Sequence, residues 1–163
     1  MKVLFSNSDY LVVSCQDFYA KELELSNRNT LATYFKSIFQ KLKDHYHIQL
    51  SGYYDIMLYH DINYGAVIEI TKEENDYYDM YINTIDMKIQ IEKESSFLYE
   101  LEDPFEIDSQ LLQDSKLYRY HGKLYLQLIE KIDYIDLGKL LEHSNLIYQY
   151  TEKILKSGTL VEL

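Results

Sequence analysis

One stretch of the chain repeats its apolar residues at helical spacing. Leu31, Tyr34, Phe35, Ile38, Leu42 and Tyr46 fall on one side, and Lys36, Lys41, Lys43 and Asp44 on the other. That spacing predicts an amphipathic helix over residues 30–46. Ser26, Asn27, Asn29 and Thr30 offer N-caps ahead of it. A stripe of this kind is a core face, not a cofactor site.

Elsewhere the period falls to two. Val3-Leu4-Phe5 and Tyr10 to Ser14 read as two strands joined by the turn cluster Ser6-Asn7-Ser8-Asp9. Ala20 to Leu25 reads as a further candidate strand. After Ser51-Gly52, the residues Tyr54, Ile56, Leu58 and His60 alternate with Tyr53, Asp55, Met57 and Tyr59. Asp61-Ile62-Asn63-Tyr64-Gly65 is a turn, and Ala66 to Ile70 is the returning strand. Tyr77 to Ile82, Met87 to Glu92 and Phe97 to Leu101 complete the middle of the chain. The firmest hairpin is Leu117 to Tyr120 with Lys123 to Leu128, turning at His121-Gly122, where glycine supplies a left-handed position. A helix near residues 136–143 follows. Leu146-Ile147-Tyr148 reads as a strand or as more of that helix. Thr151 is placed as the cap of a last helix that ends at Ser157-Gly158.

Strands grouped in hairpins, not alternating with helices, predict an α+β fold. Its sheet is mainly antiparallel, packed by one long N-terminal helix and short C-terminal helices. The only proline, Pro104, follows Glu102-Asp103. It marks the best place for a break within a single domain, between a lobe of residues 1–103 and a lobe of residues 104–163.

Composition narrows the function classes. The chain has 163 residues, 47% of them hydrophobic, enough to bury a core without a metal or disulfide staple. No apolar run reaches the roughly 18 residues of a membrane span. The stretch Met1 to Phe5 is too short for a signal-peptide core. With Cys15 as the only cysteine, these features predict a cytoplasmic protein. The net charge of −11 disfavours direct contact with nucleic acid or an anionic membrane; solubility accounts for it simply, and the functional reading is a basic protein partner. Tyrosine is abundant, at 18 residues with no tryptophan. Biased codon usage accounts for this simply; the functional reading is an adhesive surface, since tyrosine joins an apolar ring to a polar tip. A free edge on such a sheet leaves a homodimer open.

The familiar chemistries lack their residues. Five scattered glycines make no phosphate-binding loop. His45, His47, His60, His121 and His143 have no zinc-site spacing, so no metal or other cofactor is expected. His45 and His47 instead suit the negative end of a helix dipole. Cys15, beside Val12, Val13 and Phe18, reads as a buried thiol. No serine sits in a nucleophile elbow. The acidic runs at 72–79 and 100–108 fix no catalytic pair. They read as solvated loops or as a docking patch for lysine and arginine on a partner.

The segment Leu117-Tyr118-Arg119-Tyr120-His121-Gly122-Lys123-Leu124-Tyr125-Leu126 resembles the aromatic hairpin in the C-terminal domain of MecA-type adaptors. Leu140-Leu141-Glu142-His143 and Lys153-Ile154-Leu155 would continue that likeness over about a third of the chain. The long acidic linker of that family is missing. The resemblance implies an α+β adaptor that hands substrates to a AAA+ unfoldase. The leading expectation is therefore a non-enzymatic regulatory or adaptor module that binds another protein. Its candidate binding residues are Tyr77, Tyr78, Tyr81, Tyr118, Tyr120 and Tyr125, on an exposed apolar patch rimmed by acid. Two alternatives stand beside it. One is a small-molecule binder or enzyme with a deep polar pocket near His60 and Asp61. The other is an acidic inhibitor that imitates nucleic acid.

Overall fold

A computed structural model describes residues 1–16, 27–73, 85–92 and 95–162. The strands expected at Ala20 to Leu25 and Tyr77 to Ile82 lie outside these residues. Among the described residues, four α-helices and ten strands form two five-stranded sheets, mainly antiparallel, which is an α+β fold. The chain divides into two compact units. The first holds Met1–Leu58 and Ala66–Glu92; the second holds Tyr59–Gly65 and Lys93–Leu163.

In the first unit, β1 (Lys2–Ser6) and β2 (Tyr10–Cys15) form a hairpin. Its turn is closed by Asn7, whose Oδ1 accepts from the N–H of Asp9 at 2.9 Å and of Tyr10 at 2.7 Å. This is the side-chain mimic of a backbone turn that makes asparagine favoured there. Helix α1 (Arg28–Tyr46) begins at Asn27, whose side chain accepts from Asn29 and Thr30. It stops where His47 turns left-handed at φ 56° and the Ile48 N–H reaches back to the Leu42 carbonyl at 3.1 Å. That closure usually employs glycine. Strands β3 (Gly52–Asp61), β4 (Gly65–Lys72) and β5 (Ile85–Glu92) complete the sheet in the order β1-β2-β4-β3-β5.

The alternation of β3 is preserved in burial. Tyr54, Ile56 and Leu58 are buried, whereas Tyr53, Asp55 and Met57 are only partly so. The buried set joins Leu31, Phe35, Ile38, Phe39 and Leu42 of α1 and Val13, Ala66, Ile68 and Ile70 of the sheet in one core. Cys15 lies in the same core.

In the second unit, β6 (Leu98–Leu101) leads through a 3₁₀ turn (Pro104–Glu106) to α2 (Ser109–Gln113). The hairpin β7 (Ser115–Tyr120) and β8 (Lys123–Leu128) follows. Then come α3 (Tyr134–Glu142), β9 (Ser144–Ile147), α4 (Thr151–Ser157) and β10 (Thr159–Val161). The sheet order is β10-β7-β8-β6-β9. Pro104 opens the 3₁₀ turn, inside this unit.

Local chemistry explains these elements. His121 and Gly122 both have positive φ, 49° and 77°, so Tyr120 pairs with Lys123 across a two-residue turn whose twist matches the strands. Several acids of the Pro104 region and beyond are caps. Asp103, Asp108 and Asp133 each accept backbone N–H groups at the start of a helical segment. The end of the chain differs from expectation. Leu146 and Ile147 are in a strand paired with β6, not in a helix. Thr151 is not a cap but the buried first residue of α4; Tyr150, left-handed at φ 58°, precedes it without a side-chain capping bond. Gly158 ends the helix in an extended conformation, φ −73°. Glycine is needed there for room: a Cβ would lie 2.6 Å from the Ile154 carbonyl oxygen.

Candidate functional site

Of the tyrosines expected to form a binding patch, Tyr77, Tyr78 and Tyr81 lie outside the described residues. The structure brings the other three together on one face of the β7–β8 hairpin, where Tyr118 pairs with Tyr125. Tyr125 is only 7% exposed and forms a cluster with Leu98 and Ile154, against which Tyr118 and Tyr120 pack half-buried. The Tyr118 hydroxyl is within 3.3 Å of Gln127 Oε1, and the Tyr120 ring meets His121 edge-on at 4.1 Å. Burial, then a hydrogen bond with Glu100, pushes the Tyr125 hydroxyl above its ordinary range. Glu100 also pairs with Lys123 at 2.7 Å.

Two exposed apolar residues of the second unit, Phe105 and Ile129, share a groove elsewhere. A groove of about 1110 Å³ is walled by the 3₁₀ turn, α2, the start of β7, the end of β8, the 129–132 segment and α3. Its buried lining is Ile107, Ser115, Leu128 and Leu140. Phe105 and Ile129 line it while 94% and 54% exposed. Acid surrounds them: Glu106, Asp108, Asp114, Glu130, Asp136 and Glu142 line the groove, against Lys131 and Lys139. Lys139 is paired with Asp136 at 3.2 Å. Among the described residues, the Ser115 hydroxyl, buried in the wall, has no hydrogen-bond partner. The signal in the sequence was a lone aromatic inside an acidic run, Asp103-Pro104-Phe105-Glu106. A proline-started turn ties down the backbone there and leaves the ring no core to enter.

His60 and Asp61, the centre of the pocket reading, belong to a different arrangement. Asp61 is buried, and its carboxylate is fully employed by backbone. Oδ1 accepts from Asn63 and Tyr64 N–H, both at 2.8 Å, and Oδ2 accepts from Phe97 N–H at 2.8 Å. Asn63 Nδ2 donates to the Leu128 carbonyl at 3.1 Å, and Ser95 donates to the His60 carbonyl at 3.0 Å. Rings surround this staple: Tyr64 on Phe97 at 5.3 Å, Phe97 on Tyr148 at 6.2 Å, and Tyr148 on Tyr59 at 5.1 Å. Burial lowers the His60 imidazole below its usual range, with Asp61 opposing. A carboxylate that accepts three backbone N–H groups anchors the turn and ties it to Phe97.

Beside it, the Tyr99 hydroxyl is buried with no partner among the described residues. Burial, with the Asp61 charge second, holds its pKa far above the ordinary tyrosine value. Tyr99→Phe is therefore expected to stabilise the protein by about 1 kcal/mol, because an unsatisfied buried hydroxyl costs about 1–3 kcal/mol. The sign with pH follows. The unfolded tyrosine ionises near pH 10 and the folded one does not, so wild-type stability is lost as pH rises past that point. Urea unfolding between about pH 8 and about pH 11 should show a shallower decline in the Tyr99→Phe variant.

Among the described residues, no group of three or more His, Cys, Asp or Glu side chains could hold a metal ion, and no helix is long and apolar enough to cross a membrane. In comparisons with protein-family models, curated proteins and solved structures, nothing matches this chain.

Proposed function

We propose that this protein is a non-enzymatic regulatory or adaptor module that binds another protein through the groove of its second unit. Phe105 carries the reading: a phenylalanine 94% exposed at a groove whose buried lining includes Ile107, Leu128 and Leu140. Burying such a side chain is worth about 1.5–3 kcal/mol, so a sequence that keeps it in water forgoes that stability unless a partner covers it. Ile129, 54% exposed on the same groove, extends the apolar surface. The resemblance of the β7–β8 hairpin to MecA-type adaptors favours the same class and would make an unfoldase the second partner.

The test places a photo-crosslinking phenylalanine analogue at Phe105 and irradiates the protein in lysate of its own cells. The expected result is one discrete protein adduct. The same analogue at Phe5 on β1, 51% exposed, serves as the control. Equal yields at the two positions, or no adduct at Phe105, would overturn the reading.

A further inference from the structure

We infer that the groove receives a short basic peptide segment of its partner, one that inserts a bulky apolar side chain between Phe105 and Ile129 and sets lysine or arginine against the acidic rim. This rests on the protein-binding reading above and names the chemistry of the partner. Charge is the first ground. Glu106, Glu130 and Glu142 are exposed around the groove, and Asp136 already neutralises Lys139. The whole chain adds a net charge of −11. An acidic occupant would be repelled both at a distance and in contact, whereas a basic one is steered in. The same argument disfavours a second copy of this chain, which carries the same charge.

Size is the second ground. At about 1110 Å³ the groove is open and touches a turn, two helices and two strand ends. It suits a run of side chains.

The experiment selects from a random dodecapeptide phage library against the full chain, then measures synthetic winners by fluorescence anisotropy. Enriched sequences should combine lysine or arginine with a large apolar residue. Their affinity should fall about tenfold between roughly 50 and 200 mM salt. Glu130→Lys combined with Glu142→Lys, both exposed positions, should weaken binding by about tenfold, while Asp9→Lys on the β1–β2 turn should not. Neutral or acidic winners whose binding still needs Phe105 would overturn the basic chemistry and leave the groove reading standing. Failure of any peptide to bind, alongside a successful crosslink at Phe105, would overturn the short-segment claim alone. Failure of both, or a crosslink only to a second copy, would remove both readings.

Discussion

Asp61→Ala is expected to lower the stability of the protein by about 3–5 kcal/mol, the largest loss among substitutions in the second unit. Three backbone N–H groups converge on that one carboxylate, two from its own turn and one from Phe97. The bonds to Tyr64 and Phe97 are buried, so alanine leaves two donors without water or partner. Each such orphan costs about 1–3 kcal/mol, and a bond to a charged acceptor is worth more than a neutral one. The loss of the carboxylate also loosens the Tyr64–Phe97–Tyr148 ring contacts that depend on where Phe97 sits. Asp61→Asn keeps one acceptor oxygen for the turn but points a donor at the Phe97 N–H, or the reverse, and should lose about 2 kcal/mol. Urea unfolding at neutral pH measures both. A loss below about 1 kcal/mol for alanine would mean that the carboxylate is not the anchor of residues 59–65.

The role of Asp61 shows where reading the sequence stops. Its place in a turn was visible, because Asp-x-Asn-x-Gly has the side chains and the glycine a turn needs. Its bond to Phe97 spans 36 positions, and no local pattern reports such a partner. The same limit applies to the division of the chain. Residues 59–65, the end of β3 and its turn into β4, follow directly on the strand of the first unit, yet they belong with residues 93–163. Periodicity describes which face of a strand is apolar, not which core receives it. In helix α1 four of the repeated apolar positions, Leu31, Phe35, Ile38 and Leu42, are buried, whereas Tyr34 is only partly so and Tyr46 is 39% exposed. The β7–β8 hairpin was legible because a glycine at the turn leaves one register open. Strand β10 was not, since three residues are too few to show alternation.

The tyrosines of the β7–β8 hairpin show why composition alone does not locate a surface patch. An aromatic with a polar tip is at home both in an interface and at the edge of a core, and composition does not separate the two. Tyr118, Tyr120 and Tyr125 stand with Leu98 and Ile154 in a packed cluster. Phe105, which has no polar tip, is 94% exposed.

In the first unit, Phe35→Ala should cost about 3–5 kcal/mol, the usual range for truncating a fully buried phenylalanine. Phe35 is 0% exposed in the middle of the α1 stripe, with the Tyr34 ring edge-on at 5.6 Å. The sheet residues Val13, Ile56, Leu58 and Ile68 of the same core are themselves at most 1% exposed. Side chains so placed have little freedom to collapse into the space a ring leaves, which puts the cost toward the upper end of that range. Phe35→Leu refills most of the volume and should cost about 1–1.5 kcal/mol. Lys36→Ala, one position along on the exposed side of the same helix, should change stability by no more than about 0.5 kcal/mol. Helix propensity is nearly the same for all three replacements, so the spread among them isolates packing. Urea unfolding followed by circular dichroism supplies the comparison. Equal losses at positions 35 and 36 would show that α1 does not bury the stripe its sequence repeats.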